Sequence, residues 1–505
     1  MTRASRFALA PVAVFLACFF EFAACHRLID GDEGFYLLAS RLVMEHRTPY
    51  FDFFYTQAPL VPYAYGLWMW LFRISWFSAR SFSALLTAIL GVLIYEHVCH
   101  ETRKWAAGAA AVILFASSTL IFAWFPLVKT YSLAALFLVG AYVIVTRLSP
   151  ASSPWMAAVA GLLFGLGVDT RSYVVGLAPV FLWWVLRHSG TGNRNTRVLW
   201  FLGGFTVGIV PCLILFASSP SLFLFNNLGY HAIRSNAGLI GDWRGKFVTG
   251  LMVLFGRANG VQFAILSAVS LVVIFATRMR KGGALLAFAI AFVLGFISIL
   301  PTPPMVQYFC MCMPFLIVGV VCGASDFIAS QRSGSPKRIA VLVSVIVVVT
   351  FVVASAPGFR RYLFTGDRVV GIKNTDDARN WTLANASAVS RAIDELAAPK
   401  EQIASFWPGY VAASKAEPSP GFENDFGWVI ANKLTSDQRA KYHIITRSEI
   451  EADFAAHTPR IIVLGNQWNG GFSDASEWVS ILRKDDYVEV RTIGDTSIFV
   501  CCSKR

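Results

Sequence analysis

The sequence predicts a polytopic α-helical membrane protein with about 11 transmembrane helices, amphipathic helices in its first outer loop, and a small C-terminal α/β extracytoplasmic domain. Three observations predict it. The 505 residues are 56% hydrophobic and 14% charged, with a mean hydropathy of +0.57; a soluble chain of this size would carry a mostly apolar surface. Apolar runs recur at close to the ~20 residues that cross hydrocarbon. Charge is also partitioned: residues 1–356 hold 25 Lys and Arg against 11 acids, and residues 357–505 hold 18 against 19. The net charge of +13 therefore sits in short loops between apolar runs. That is the positive-inside pattern, and it implies membrane lipid around the chain and no nucleic-acid partner.

Spans are expected near 8–25, 80–98, 106–124, 131–147, 155–170, 172–188, 199–217, 255–277, 283–300, 308–329 and 339–356. Basic clusters at Arg3/Arg6, Arg103/Lys104, Arg147, Arg187 through Arg197, Arg278/Arg280/Lys281 and Arg332/Lys337/Arg338 alternate with loops on the other side. This alternation places the amino terminus in the cytoplasm. It divides the chain into a transmembrane module, 1–356, and an extracytoplasmic domain, 357–505, at a bacterial cytoplasmic (inner) membrane. Phe22-Ala23-Ala24-Cys25 behind Arg3 and Arg6 is read as part of an uncleaved signal anchor. The nine cysteines are scattered, with no metal or disulfide spacing.

The first outer loop, 26–79, is too apolar to float free. In 34–46 the apolar residues Phe35, Leu38, Ala39, Leu42 and Val43 follow helical spacing while Ser40, Arg41 and Glu45 face away, as in a helix lying on a membrane surface. The segment 59–72, rich in Tyr63, Tyr65, Trp68 and Trp70, reads as a second interfacial helix. Beyond Arg360, polar helices at 382–396, 448–457 and 475–484 alternate with strand-like runs at 402–406, 460–464, 487–491 and 496–501.

Chemistry is expected first at Asp30-Gly31-Asp32-Glu33. Of the 11 acids before residue 357, five (Asp30, Asp32, Glu33, Glu45 and Asp52) fall within 23 residues. A carboxylate at the bilayer centre costs roughly 2.5–3.5 kcal/mol on insertion scales, so the cluster belongs in a loop or polar cavity. Carboxylates also suit a helix N-terminus, which is the structural alternative. Asp169-Thr170-Arg171 marks a second outer turn, where Arg171 fits either an interfacial anchor or a fork for phosphate. Lys129 lies at the same face. The polar loop 220–246 holds Asn226, Asn227, His231, Arg234, Asp242 and Arg244, with Gly229, Gly241 and Gly245 as flexible points of a lid. Glu96-His97 with Cys99-His100-Glu101 lies at a cytoplasmic span end, where such residues occur without a metal.

The Asp32-Glu33-Gly34-Phe35-Tyr36 segment at the end of the first span is followed by Pro49-Tyr50-Phe51-Asp52-Phe53 and Gln57-Ala58-Pro59-Leu60. Gln307-Tyr308, with Pro314, precedes a late span. Together, and across the whole layout, these segments resemble the GT-C membrane glycosyltransferases, among them the PMT-like (family-39-like) protein O-mannosyltransferases and the bacterial aminoarabinose lipid A transferases. The resemblance implies transfer of a sugar, with inversion, from a dolichyl- or polyprenyl-phosphate donor to a hydroxyl of a glycan, lipid or protein acceptor. It implies Asp32 as general base with Glu33 as its partner; by residue type and position at the outer face, Arg171, Lys129, His231 and Arg234 are the candidates for donor-phosphate contacts. Asp52, Tyr55, Gln57, Gln307 and Tyr308 are the expected substrate pocket. Where the aminoarabinose transferases have a Glu-Lys-Pro segment, this chain has Gln57-Ala58-Pro59, without the acid and the base. No resident metal is assigned, although three acids within four residues leave room for a divalent cation. A transporter or flippase of lipid-linked sugars and a non-catalytic assembly factor are the alternatives.

Overall fold

The computed structural model describes residues 2–188, 194–256, 260–277, 282–331, 333–366, 377–465 and 475–501. Arg278, Arg280, Lys281, Arg332 and Cys502 lie outside the described residues. Helices occupy each of the segments read as spans. They are α1 Leu9–His26, then, after two helices of the first connection (α2 Glu33–Met44 and α3 Leu60–Phe72), α4 Trp76–Thr102, α5 Trp105–Ser117, α6 Tyr131–Thr146, α7 Trp155–Thr170, α8 Ala178–His188, α9 Arg194–Gly208 and α10 Val210–Ser218. There follow α11 Trp243–Phe255, α12 Gly260–Thr277, α13 Gly283–Ile299, α14 Met313–Ser330 and α15 Ser335–Val353. Among the described residues four helical stretches are long and apolar enough to cross a membrane singly, and α9 with α10, bent by 59°, makes a fifth. The chain is a multi-pass integral membrane protein.

Lipid offers helices no hydrophobic reason to associate, so close approach of small residues does the work. Helices α7 and α9 show it. Gly161 and Gly165 face Gly204 and Gly208, and a Cβ added to Gly161 would come within 1.9 Å of the Phe201 carbonyl oxygen. A Cβ on Gly204 would come equally close to the carbonyl of Ala158.

Two expectations are corrected. Helix α2 does not lie with a polar face free: every position from Glu33 to Val43 is buried, including Ser40 and Arg41. The C-terminal region covers that face, and Arg41 donates to the carbonyls of Val411 and Ser414 at 3.0 and 2.8 Å. The segment 220–246 is a loop only in part, its stretch 234–242 staying irregular and largely exposed. Helical turns run through Pro220–Leu224, Phe225–Gly229 and Tyr230–Ile233, so Gly229 continues a helix rather than hinging a lid. Helix α3, by contrast, keeps Leu67, Trp70, Leu71 and Phe72 exposed, as an interfacial segment does.

The C-terminal region carries helices α16 Leu383–Leu396, α17 Arg447–Ala455 and α18 Ala475–Lys484. Its five strands are β1 Gln402–Ser405, β2 Glu417–Pro418, β3 Ile461–Gly465, β4 Tyr487–Ile493 and β5 Thr496–Cys501. They form one mixed sheet in the order β2-β1-β3-β5-β4. The first two pairings from the β2 edge are parallel and the last two antiparallel. Strand β2 has only two residues, too few to show an alternating pattern in the sequence. One apolar core runs without a break from Leu16 in α1 through Trp76 to Trp407, Tyr410 and Ile498. A second, containing Phe406, Trp428, Phe454 and Trp478, lies against the sheet. Packing therefore ties the C-terminal region to the helices that bear the acidic knot.

Candidate active site

The acidic knot joins the end of α1 to the start of α2, and each of its acids has a different fate. Glu33 is completely buried. Its carboxylate takes a fork from Arg80 of α4, with Nη2 at 2.6 Å and Nε at 2.9 Å. It also accepts the backbone N–H groups of Asp30 at 2.8 Å and Val128 at 3.0 Å. Arg80 in turn donates to the carbonyls of Ala24, Arg27 and Leu28. A buried pair is tolerable only when its remaining hydrogen-bonding capacity is satisfied, and here it is.

Lys129 comes from the short connection between Trp124 and α6. Its ammonium sits 2.5 Å from Asp30 Oδ1 and 2.7 Å from Asp32 Oδ2, over the ring of Trp124. Asp30 is buried, whereas the Asp32 side chain keeps 24% of its exposure. Asp32 is the open acid of the three. Burial pushes its carboxyl above the usual carboxylate range, with Lys129 opposing and Asp30 adding to the rise. Its charge is also felt by Arg234 and by Tyr36 of α2.

Around Tyr36 the structure gathers several of the expected donor residues. Arg171, at the end of α7, is buried among the rings of Tyr131, Tyr173 and Tyr308, 4.5, 4.6 and 5.3 Å from their centres. It donates to Thr130 Oγ1, while its Nε has no hydrogen-bond partner. No carboxylate pairs with it among the described residues. Both Arg171 and Tyr308 act electrostatically on Tyr36. Arg234 donates to the Thr302 carbonyl at 3.0 Å. The His231 ring lies 3.0 Å from the Thr56 carbonyl. Its pKa is lowered to about 4, first by burial and then by Arg234, so it is neutral near pH 7.

The other expected residues divide. Tyr308 faces Arg171 as stated. Tyr55 packs against Phe35 and Tyr36, its backbone N–H reaches Asn226 at 3.1 Å, and its buried hydroxyl is unpartnered. Gln57 touches Tyr50 through its backbone carbonyl, at 2.6 Å from the phenol oxygen. Gln307 is half-buried at the start of the 3-10 turn Val306–Cys312. Asp52 is exposed and closes its own turn, accepting the Thr48 N–H at 2.6 Å; it is not brought to Asp32.

Among the described residues no three His, Cys, Asp or Glu side chains converge as a metal site. Between Asp30 and Asp32 the ammonium of Lys129 holds the place a cation would take. In the 96–101 segment, Glu96 pairs with Arg147, His97 with Tyr142, and His100 with Glu101.

Sequence reasoning missed Arg80, Trp124 and Tyr173. An arginine four residues into a helix that reads as a span was the available signal, since such a charge must find a partner. Nothing local marks Trp124 or Tyr173 as part of a cage.

The chain was compared with known proteins. Residues 56–217 match the family model described as dolichyl-phosphate-mannose-protein mannosyltransferase; the acidic knot lies just before this segment. No match was found among curated proteins. In structure the chain resembles ArnT from Cupriavidus metallidurans in the apo state, with a TM-score of 0.66 and 14% identity, covering 99% of this chain and 98% of that one. It also resembles the same protein bound to undecaprenyl phosphate, with a TM-score of 0.63 and 14% identity over 100% and 99% of the two chains. The protein thus shares the fold of ArnT along its whole length, and residues 56–217 match the dolichyl-phosphate-mannose-protein mannosyltransferase model.

Proposed function

We propose that the protein transfers a sugar from a polyprenyl-phosphate donor to a hydroxyl acceptor at the outer face of the bacterial cytoplasmic membrane, with inversion at the anomeric carbon. The observation that carries the reading is the difference among three clustered acids: Asp32, paired with Lys129, alone keeps a partly exposed carboxylate, and Tyr36 lies within electrostatic reach of both Asp32 and the buried Arg171, which among the described residues has no carboxylate partner. The undecaprenyl phosphate bound by the structurally similar ArnT supports a lipid-phosphate donor here.

In the proposed step the acceptor oxygen attacks the anomeric carbon as its proton passes to an Asp32 carboxylate oxygen. The new C–O bond forms on the face opposite the leaving group. The bond from the anomeric carbon to the phosphate oxygen breaks, and the lipid monophosphate departs with that electron pair. Arg171 faces the developing negative charge with N–H groups already fixed by the tyrosine cage, so little reorganisation accompanies the step. Arg234 supports the same charge, and neutral His231 supplies a dipole. Lys129 serves the acids rather than the phosphate, and Glu33 holds the knot in place. The acceptor class, whether glycan, lipid or protein, is set by the pocket around Tyr36, Tyr55 and Tyr308.

The test is transfer of radiolabelled sugar from synthetic polyprenyl-phosphate donors in membranes, comparing wild type with Asp32→Asn at matched expression. The reading expects label on an acceptor with wild type only. Equal transfer by the variant would remove Asp32 from the chemistry, and donor crossing the bilayer without transfer would favour a flippase.

A further inference from the structure

The Asp32 carboxylate is paired with Lys129, and the backbone that carries it is anchored on either side, by two contacts of which only one belongs to the transmembrane helices. On its C-terminal side, Glu33 is gripped by Arg80. On its N-terminal side, the Gly31 carbonyl accepts a 2.8 Å hydrogen bond from the indole N–H of Trp407, 376 residues further along the chain. Trp407 itself is fixed. It is 2% exposed, stacks on Trp76 with ring centres 5.4 Å apart and planes 16° from parallel, and meets Trp381 and Tyr410 edge-on. The neighbouring backbone is held from the same side. Leu28 N–H donates to the Tyr362 carbonyl at 3.0 Å and Ile29 N–H to that of Trp381 at 2.7 Å. There is no slack at this contact: a Cβ on Gly34 would lie 2.7 Å from Gly409 N and 2.8 Å from the Trp407 ring.

We propose that Trp407 is a positioning residue for the transfer reaction, its indole N–H fixing the Gly31 peptide and hence the aim of Asp32, so that the C-terminal region completes the catalytic loop. The inference rests on the reading of Asp32 as base. A base must hold its carboxylate within hydrogen-bond reach of the acceptor proton, and a misplacement of about 1 Å costs on the order of a hundredfold in rate. The Gly31 carbonyl is close enough to Asp32 in the chain that loss of its donor frees the peptide between the two anchors.

The experiment uses the full-length protein in membranes with a synthetic polyprenyl-phosphate sugar. Wild type is compared with Trp407→Phe, with Trp407 replaced by benzothienylalanine (which keeps the bicyclic ring and lacks the N–H), and with Asp32→Asn. For both Trp407 variants the expected result is a kcat per folded protein lowered by about ten- to a hundredfold, with donor KM unchanged and the acid limb of kcat displaced; the thermal midpoint falls further in Trp407→Phe, which also loses ring packing, than in the benzothienyl variant. A wild-type kcat in the benzothienyl variant overturns the proposal, as does a loss of kcat that only tracks lost folded protein or weakened donor binding. Wild-type turnover by Asp32→Asn would instead overturn the reading of the base, so the two failures are distinct.

Discussion

Glu33 and Arg171 are both buried acid–base side chains close to Tyr36, but their surroundings differ in kind. Glu33 meets a guanidinium fork and two backbone N–H groups. Arg171 meets three tyrosine rings and one threonine hydroxyl. The first charge is neutralised within the protein, and the second is stabilised by polarisable rings while its net charge remains available. A site built to receive an anion needs this second arrangement, because a resident carboxylate would compete with the phosphate. The first arrangement suits a scaffold. This difference is why the proposed reading gives the proton transfer to Asp32 and leaves Glu33 as its support.

The largest test of the contrast is to break the scaffold. Glu33→Gln or Arg80→Met leaves one buried charge without its partner, at a cost of about 3–5 kcal/mol. Either variant should lower the thermal midpoint and folded yield sharply, as followed by fluorescence-detected size exclusion. Joining Glu33→Met with Arg80→Met removes the unpaired charge but strands the backbone groups that the pair satisfied, so stability should be recovered only in part and transfer not at all. An unchanged midpoint in the single variants would mean that Glu33 is not the anchor described.

Arg171→Lys should act the opposite way. It keeps the charge and loses the fork. A charge-assisted hydrogen bond contributes about 1.5–3 kcal/mol, so donor KM should rise by about ten- to a hundredfold with little change in thermal midpoint. An unchanged KM would make Arg171 an interfacial anchor only.

Next in size is the pH profile. In the proposed step Asp32 accepts a proton and so must be ionised, and burial raises its carboxyl above the ordinary range. Activity should therefore be lost as pH falls through an acid limb placed above that range. Lys129 favours the ionised form, so Lys129→Met should displace the limb to higher pH; a shift to lower pH would contradict the pairing. His231 is already neutral down to about pH 4, so His231→Gln should leave the limb where it is.

The smallest effect is expected at Asp52. Asp52→Asn, at an exposed turn, should alter stability by within about 0.5 kcal/mol and leave kcat unchanged. A large loss of kcat would extend the site to a residue the structure keeps apart from Asp32.

Much of the architecture was legible. The helical segments follow from apolar runs, and the C-terminal strands and helices from local alternation, to within a residue or two at 402, 461, 475, 487 and 496. The location of the acidic knot was legible because charge is conspicuous in an apolar chain. Helix α2 was misjudged because its periodicity predicts which face is polar, not what covers that face.

By itself the sequence determined where the chain is helical, that it enters a membrane, and where its scarce acids cluster. Each of these depends on residues near one another in the chain. Only the tertiary structure decided the roles within the cluster. Arg80 lies 47 residues from Glu33, Lys129 lies 97 from Asp32, and Trp407 lies 376 from Gly31. Those partners meet through the packing of α1, α4 and the C-terminal core, and a carboxylate's surroundings follow from what it meets: two backbone amides and an arginine enclose Glu33, whereas Asp32, paired with a single lysine, keeps part of its exposure.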